Sequence, residues 1–340
     1  MKYSVIIPVF NRPDEVDELL DSLTRQTVKD FEVVVVEDGS SIPCKDVIDK
    51  YSGYLDIQYL LKENGGPGPA RNYGVKHSKG EYVLILDSDC VLPQGYMQAI
   101  EKELKENPCD AFGGPDAANE SFTKVQKAIS YSMTSFFTTG GIRGGKKKGA
   151  LDKFYPRSFN MGIRRDVYME LQGFSKMRFG EDIDFSYRIV ESGYVSRLFP
   201  EAWVWHKRRT DMGKFFKQVF NSGIARINLT KRHPGTLKLV HLLPMVFTVG
   251  VILLLLAAIV MGILGFFKLS LICLLPIVLY ILLIFADSGI RNRSLTIGLI
   301  SIVASFVQLT GYGFGFIKAW WLRMVRGKDE FSAFEKNFYD

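Results

Sequence analysis

The sequence predicts an α/β domain with a mostly parallel sheet, followed by an α-helical membrane region. Three short runs rich in apolar and β-branched residues, at 5–7, 33–36 and 83–86, are typical of strands buried on both faces. A helical pattern lies between the first two runs, so strands and helices alternate. Beyond residue 236 charge is sparse, with nine Lys/Arg and five Asp/Glu in 104 residues. These observations exclude a disordered chain and a purely soluble protein.

The first helix is predicted over residues 13–27. Its apolar residues Val16, Leu19, Leu20 and Leu23 recur at helical spacing. Pro13 suits an early helical position, and we expect Asn11 to be the N-cap.

The membrane region is predicted from three runs without Asp, Glu, Lys or Arg, at 239–267, 269–286 and 294–317. Each is long enough for one span, because a bilayer core requires about 20 apolar residues per helix. We therefore divide the chain into an N-terminal α/β domain (1–206), a basic amphipathic interfacial segment (207–236), a membrane region with about three spans (237–320) and an amphipathic C-terminal tail (321–340).

The distribution of charge predicts which side of the membrane each part occupies. The net charge is +7, but the first 236 residues account for only +3, with 34 basic and 31 acidic groups. Residues 207–232 carry eight basic residues and one acid, which favours a cytoplasmic location and contact with anionic lipid over nucleic acid. No signal peptide is expected, so we predict a multi-pass protein of the cell membrane with its N-terminal α/β domain in the cytoplasm.

The side of the C-terminal tail stays open at this point. Three spans place it outside, whereas its basic residues favour the inside; these are Lys318, Arg323, Arg326 and Lys328. Either the third segment is re-entrant, or the chain departs from the positive-inside rule.

Acidic residues follow two of the predicted strands. Glu37 and Asp38 end the second run, and Asp87 and Asp89 follow the third. Ligands of open parallel sheets bind beyond the carboxyl ends of the strands, so both acidic pairs are expected on one rim. Asp87-Ser88-Asp89 suits a divalent cation bound together with a diphosphate, since hard cations take carboxylate oxygens; the alternative is an Asx turn.

Two glycine-rich segments have open interpretations. Gly65-Gly66-Pro67-Gly68-Pro69-Ala70-Arg71-Asn72 is either a plain turn or a loop that enters a helix and favours an anionic group. The basic segment 140–149 is either a passive linker or a lid over a phosphorylated ligand.

Further candidates lie later in the chain. Glu181, Asp182 and Asp184 follow Gly180, where acids either complement a helix dipole or include a general base. His206 is either structural or a ligand. The four cysteines show no Cys-x-x-Cys spacing, which predicts reduced thiols and no zinc site.

Five motifs in this order resemble family 2 glycosyltransferases of the GT-A fold. They are Ser4-Val5-Ile6-Ile7-Pro8-Val9-Phe10-Asn11-Arg12, Glu37-Asp38-Gly39-Ser40, Gly68-Pro69-Ala70-Arg71-Asn72, Asp87-Ser88-Asp89 and Gly180-Glu181-Asp182. The resemblance covers about residues 1–205 and implies transfer of a sugar from a nucleotide sugar, with inversion at the anomeric carbon.

The resemblance also implies a role for each matching position. Nucleoside binding would fall to Pro8, Asn11, Glu37 and Asp38, with Asp38 on the base, and Arg71 would lie near the diphosphate. Asp87 and Asp89 would bind the ribose side and the metal, Mg²⁺ or Mn²⁺, with Asp89 the direct ligand and His206 completing the site. Asp182, beside Glu181, would be the base that deprotonates the acceptor hydroxyl.

The acceptor class is predicted from the need for a base. The acceptor phosphate of a polyprenyl-phosphate sugar synthase is already ionised, so the Glu181-Asp182 pair favours a hydroxyl of a lipid-linked or growing glycan. Processive synthases carry Gln-x-x-Arg-Trp. Here Gln218 and Arg226 match this motif only loosely, and no Trp follows directly, which argues against long-chain polymerisation. The alternatives kept open are such a polyprenyl-phosphate enzyme and a catalytically silent scaffold that binds nucleotide sugars.

Overall fold

A computed structural model describes residues 1–117, 122–140 and 153–330. The strands in these residues are β1 Tyr3–Val9, β2 Phe31–Asp38, β3 Ile57–Lys62, β4 Tyr82–Leu86, β5 Cys90–Val91, β6 Ala111–Gly113, β7 Asp116–Ala117, β8 Asn160–Arg164, β9 Ser196–Leu198 and β10 Val204–His206. The α-helices are α1 Pro13–Thr24, α2 Lys45–Tyr51, α3 Pro67–His77, α4 Tyr96–Glu106, α5 Lys124–Thr134, α6 Phe136–Thr139, α7 Arg165–Glu170, α8 Glu181–Glu191, α9 Met212–Arg232, α10 Leu243–Ile263, α11 Phe267–Arg291 and α12 Leu295–Trp320. A 3₁₀ turn, Leu239–His241, precedes α10, and a π-helical turn, Trp321–Val325, follows α12.

Seven strands form the main sheet, in the order β3-β2-β1-β4-β8-β6-β9. The first four of these are mutually parallel, while β8 runs antiparallel to both β4 and β6. Helices α1, α2 and α3 connect the parallel strands, as crossover connections require. The predicted α/β class with a mostly parallel sheet is confirmed.

Helices cover both faces of this sheet. Val5 and Ile7 of β1 pack on one side in a cluster that includes residues of α1, α2 and α4. Ile6 points to the other side and shares a cluster with residues of α3 and α8. All three β1 side chains are fully buried. Burial on both faces explains why the strand is a continuous apolar run and does not alternate with polar residues.

The start of α1 differs from the prediction. Pro13 is the first helical residue as expected, but the N-cap is Arg12, and no side chain caps the helix. Asn11 lies one residue earlier with φ of 55°, in the left-handed region that Asn tolerates. Its Oδ1 accepts a hydrogen bond from the Ile42 N–H at 2.9 Å. The N-cap prediction was wrong because the Asn11 side chain bonds a neighbouring loop.

A second, three-stranded sheet has the order β5-β10-β7. Strand β10 pairs antiparallel with β5, and His206 lies opposite Cys90 in this register. His206 is thereby brought beside the segment that follows β4.

The chain divides into two compact units. The first contains the described residues 1–117 and 153–207, and so ends next to the predicted boundary at 206. The second contains residues 122–140 and 208–330. It therefore also includes α5 and α6, which lie within the predicted N-terminal catalytic domain (1–206). It holds the three helices that are long and apolar enough to cross a membrane, Leu243–Ile263, Phe267–Arg291 and Leu295–Val325.

Candidate active site

The carboxyl ends of β1, β2 and β4 meet at one rim of the main sheet. The parallel register pairs Val9 with Glu37, and β4 runs beside β1 in the same direction. Asn11, Asp38 and Asp87 therefore follow neighbouring strands at the same edge, where open α/β sheets bind ligands. Pro8 is buried within β1, two residues before this edge.

Asp38 holds the glycine-rich loop. Its carboxylate accepts hydrogen bonds from the backbone N–H groups of Gly65, at 3.0 Å, and Gly66, at 2.7 Å. Lys62 forms an ion pair with the same carboxylate, of which only 1% is exposed. Gly66 is the N-cap of α3, with φ of 91°, so the loop enters a helix as one of the two interpretations predicted. The anionic group at this entry is the protein's own Asp38.

Glu37 is buried and has several partners within the protein. Its carboxylate accepts from the Cys44 N–H at 2.9 Å, from the Tyr59 hydroxyl at 2.8 Å and from the Ser40 hydroxyl. Burial and this neighbouring carboxylate both raise the pKa of the Tyr59 hydroxyl, so it remains a donor at neutral pH. Ser40 in turn accepts a hydrogen bond from the Asn11 N–H at 2.8 Å. Glu37 thus shapes the loop beside Asn11.

Arg71 connects the rim with the start of α8. Its Nη2 lies 2.6 Å from Asp87 Oδ1, and its Nη1 lies 3.1 Å from Glu181 Oε1. Only 3% of the Arg71 side chain is exposed. Asn72, the next residue, donates to the Phe174 carbonyl at 2.8 Å and accepts from the Phe174 N–H at 2.9 Å, which holds the segment before α8 against α3. The hydrogen bonds of Arg71 to Asp87 and Glu181 join opposite charges and are therefore stronger than neutral ones.

The neighbouring acids Glu181 and Asp182 have different environments. Burial raises the pKa of Glu181 to about 7, the negative charge of Asp182 adds to this, and Arg71 opposes it. Burial also disfavours the charged form of Asp182. Arg157, whose Nε lies 2.5 Å from Asp182 Oδ2, acts against burial together with Arg71 and the Ile183 N–H, and the net effect lowers the pKa of Asp182. Of the two acids, Asp182 is therefore the one that its neighbours hold in the ionised form, whereas burial favours the protonated form of Glu181.

Asp184 completes the acidic segment but has a structural role. Its carboxylate, 3% exposed, accepts from Arg188 Nε at 3.1 Å, one helical turn later in α8. Arg188 also donates to the carbonyls of Leu171, at 2.6 Å, and Gly173, at 2.5 Å. The pair therefore fixes the turn between α7 and α8.

Asp89 and His206 form a candidate metal site. Asp89 Oδ1 lies 3.2 Å from His206 Nε2, although they come from different strand ends. The His206 ring stacks on Phe159, with ring centroids 4.8 Å apart. The donor atoms of Asp89, His206 and Cys90 all lie within 4.8 Å of one another. Carboxylate oxygen and imidazole nitrogen are suitable donors for Mn²⁺, so these residues fit such an ion.

The other two nearby groups fit a metal less well. The buried Cys90 thiol donates to the Phe159 carbonyl at 3.4 Å, and thiols are poor ligands for hard cations. Asp87, predicted as a second ligand, is outside the described group of possible metal ligands, and its carboxylate pairs with Arg71.

Most predicted site residues are thus linked through Arg71 or lie along the same rim. Two basic partners were not predicted: Arg157 beside Asp182, and Arg12, whose Nη1 lies 3.3 Å from Asp89 Oδ2. Arg12 is the last residue of the first family motif, 4–12, whereas no local sequence pattern indicates a role for Arg157. Of the basic segment 140–149, all but Gly140 lies outside the described residues.

Comparison with known proteins identifies the family. The model of glycosyl transferase family 2 matches residues 4–172. The poly(ribitol-phosphate) beta-N-acetylglucosaminyltransferase TarP of Staphylococcus aureus is 35% identical over 249 residues, which are 68% of this chain and 76% of TarP. The chain spans only 15% and 32% of the length of two other curated glycosyltransferases that it matches.

Two solved structures share the fold. One is Staphylococcus aureus TarS 1–349 in complex with UDP-GlcNAc, with a TM-score of 0.51, 20% identity and coverage of 67% of each chain. The other is a mannosyltransferase from Pyrobaculum calidifontis in complex with GDP-Man and Mn²⁺, with a TM-score of 0.60 and 15% identity, covering 94% of this chain and 87% of that one. The chain belongs to glycosyl transferase family 2 and has a GT-A fold with three apolar helices at its C-terminal end.

Proposed function

We propose that this protein is a membrane-bound, metal-dependent, inverting glycosyltransferase. It moves a sugar from a nucleoside diphosphate donor, with UDP-sugars the first candidates, to a hydroxyl of a lipid-linked or growing glycan of the cell envelope. The observation that carries the proposal is the bridge from Asp87 through Arg71 to Glu181, which joins the strand-end rim to the acidic pair of α8. The similarity to TarP, a transferase of N-acetylglucosamine to poly(ribitol-phosphate), supports a hydroxyl-bearing glycan acceptor.

The nucleoside is proposed to bind at the ends of β1 and β2, in a pocket bounded by Pro8 and Asn11. Glu37 and Asp38 already have partners, which favours a role in shaping this pocket over direct contact with the base. Asp87 lies at the same rim with 30% of its side chain exposed, which is consistent with a contact to the ribose. Arg71 contributes positive charge near the diphosphate.

Asp89 and His206 are proposed to hold Mg²⁺ or Mn²⁺. When bound, such a cation stabilises the negative charge that develops on the departing diphosphate. Arg71 assists from the protein side because its buried guanidinium is held in place before the donor binds.

Asp182 is proposed as the general base. Arg157 keeps it ionised, and an ionised carboxylate can take the proton of the acceptor hydroxyl. The hydroxyl oxygen forms a bond to the anomeric carbon, the bond from that carbon to the diphosphate breaks, and the nucleoside diphosphate leaves. A single displacement of this kind inverts the anomeric configuration.

The test is nucleotide release by the detergent-solubilised full-length chain. UDP-glucose, UDP-GlcNAc and GDP-mannose are each combined with Mn²⁺ and one of three acceptors: poly(ribitol-phosphate), a polyprenyl-diphosphate sugar, or polyprenyl phosphate. We expect metal-dependent release with a hydroxyl acceptor, lost in Asp182→Asn. Turnover on polyprenyl phosphate that persists in Asp182→Asn would favour a polyprenyl-phosphate sugar synthase. Tight UDP binding without release for any donor would favour a silent scaffold.

A further inference from the structure

The third apolar helix, α12, differs from α10 and α11. In its most apolar window 39% of the residues are buried, compared with 11% for α10 and 6% for α11. Its buried side consists largely of small residues, among them Gly298, Ser301, Ala304, Gly311 and Gly315. Small residues allow close approach of neighbouring helices. Because α12 packs closely against its neighbours, its contacts show how it runs relative to α10 and α11.

Helices α10 and α11 form an antiparallel hairpin. The turn between them lies at residues 264–266, and Ser270 Oγ donates to the Ala258 carbonyl at 2.8 Å beside this turn. The opposite, open end of the hairpin therefore contains the start of α10, at Leu243, and the end of α11, at Arg291. Two helices of 21 and 25 residues are each long enough to cross a bilayer.

The hydrogen bonds and close contacts described between α12 and this hairpin lie in the half of the hairpin that contains its open end. The hydroxyl of Ser301, in α12, lies 2.7 Å from that of Ser288, in the last turn of α11. Further along, the Thr248 hydroxyl, in the second turn of α10, donates to the Leu309 carbonyl at 3.3 Å. A Cβ on Gly313 would lie 2.7 Å from the Pro244 carbonyl oxygen.

These contacts are incompatible with α12 running along the hairpin. From residue 298 to residue 313 an α-helix advances about 22 Å. A Cβ on Gly298 would lie 2.9 Å from the Phe285 carbonyl oxygen, again near the open end. The deepest described contact is that of Phe306 with Phe247 and Tyr280, at centroid distances of 5.5 and 5.7 Å. Helix α12 thus crosses from α11 to α10 over the open end.

Helices that precede every candidate span cover the buried side of α12. Ile297 and Ala304 share an apolar cluster with Ala128, Ile129 and Met133 of α5. Nearby, the Tyr131 hydroxyl donates to Asp287 Oδ2 at 2.6 Å, at the open end of the hairpin. Helix α5 is on the catalytic domain's side of the membrane, because no described helix before Leu243 is long and apolar enough to cross.

The second half of α12 packs along α9 in a parallel arrangement. Cβ atoms on Gly223 and Gly315 would lie 2.2 Å from the Tyr312 carbonyl oxygen and 1.9 Å from that of Phe220, respectively. At the end of both helices, Lys231 Nζ donates to the Arg323 carbonyl at 3.2 Å. Helix α9, like α5, precedes the first span and therefore lies on the catalytic domain's side of the membrane. Both halves of α12 thus pack against helices of that side.

The remaining side of α12 is apolar and exposed. The exposed large apolar residues of α12 are Leu295, Leu299, Val303, Phe314 and Trp320, and they continue at Trp321 into the turn that follows the helix. An apolar face of this kind, with tryptophans and basic residues at its end, is typical of helices that lie in the membrane interface.

We propose that α12 is an interfacial helix and that the chain crosses the membrane only twice, through α10 and α11. The lipid surface covers the exposed face of α12, and residues 321–330 stay on the catalytic domain's side. This arrangement accounts for the basic residues of that segment by the positive-inside rule, and it removes the conflict that three spans produce.

The test is cysteine accessibility in sealed membrane vesicles of both orientations. The full-length Cys273→Ser chain receives a single cysteine at one of three exposed positions: Tyr54 in the catalytic domain, Leu264 at the closed end of the hairpin, or Lys328. The chain without an added cysteine gives the background. A membrane-impermeant maleimide is expected to label Lys328→Cys in the same vesicles as Tyr54→Cys and Leu264→Cys in the opposite ones. Labelling of Lys328→Cys together with Leu264→Cys would overturn the proposal.

A depth measurement separates an interfacial helix from a re-entrant one. A fluorophore is attached at Val303→Cys, Phe314→Cys or, as the deep control, Leu256→Cys, and is quenched by lipids brominated at different depths. We expect the first two to report the same shallow depth and Leu256→Cys a deeper one. If either α12 position is as deep as Leu256→Cys, α12 enters the bilayer core and the proposal is wrong.

Discussion

Arg71 Nη1 donates to Glu181 Oε1 across 3.1 Å, although 110 residues separate the two in the sequence. The same guanidinium reaches Asp87, so a carboxylate at the end of β4 and one at the start of α8 share a single buried cation. Protonation of Glu181 removes one of the two charges that hold Arg71. The state of Glu181 is therefore coupled to the position of Arg71 beside the proposed donor site.

The pH dependence of the proposed reaction should report Glu181. Because its pKa is raised to about 7, Glu181 is neutral below that pH and ionised above it. We expect kcat/KM to rise about tenfold in total as the pH passes through 7, from a lower plateau to a higher one, because ionised Glu181 holds Arg71 in place. Glu181→Gln should be less active, and its kcat/KM should no longer rise as the pH passes through 7. Glu101→Gln is the control, because this half-buried carboxylate of α4 pairs with Lys2; it should keep the pH dependence. An unchanged pH dependence in Glu181→Gln would contradict the prediction.

Arg157 should determine the protonation of Asp182. In Arg157→Gln the ion pair is lost, so burial, which disfavours the charged form, raises the pKa of Asp182. We expect kcat/KM at neutral pH to fall about 10²-fold and to recover partly as the pH increases, because more of the base is then ionised. Arg157→Lys retains the positive charge and should restore most of the activity. A loss that is equal in both variants and independent of pH would point to a different role for Arg157.

The metal response should depend on Asp89 and His206 but not on Cys90. We expect His206→Ala to raise the Mn²⁺ concentration for half-maximal activity at least about tenfold, and Asp89→Ala to abolish the response. Cys90→Ala is the control, since its thiol faces the Phe159 carbonyl. Titration of each variant with Mn²⁺ in the nucleotide-release assay measures this. Normal metal dependence in Asp89→Ala would exclude the assigned site.

The contact between α9 and α12 should be sensitive to a single methyl group. A Cβ on Gly223 would lie 2.2 Å from the Tyr312 carbonyl oxygen, so Gly223→Ala must separate the helices, at a cost of about 1–3 kcal/mol. Gly250→Ala in α10 is the control, because nothing lies within 4 Å of its Cβ position. Thermal unfolding in detergent should show a lower midpoint for Gly223→Ala only. Equal midpoints in the two variants would show that this contact contributes little.

Local pattern was enough to predict three of the seven strands of the main sheet, β1, β2 and β4, and the acids at the ends of two of them. The runs at 5–7, 33–36 and 83–86 are strands, and the acids that follow them lie at the carboxyl ends of β2 and β4. This succeeded because a strand buried on both faces must be apolar at every position, and parallel strands end at one edge. The N-cap of α1 could not be predicted, since Asn11 bonds the Ile42 N–H of a loop 31 residues away.

The sequence by itself determined the order of strands and helices, the residues at the strand ends and the length of the apolar segments, because each depends on residues close together in the chain. Only the tertiary structure decided which charges meet. Asp89 reaches His206 through the register of β5 and β10, and Asp182 is paired with Arg157. It also decided the course of α12, whose composition suits a membrane span but whose contacts lie at the open end of the hairpin. Pairing between distant segments depends on how the elements pack, and no local pattern contains that information.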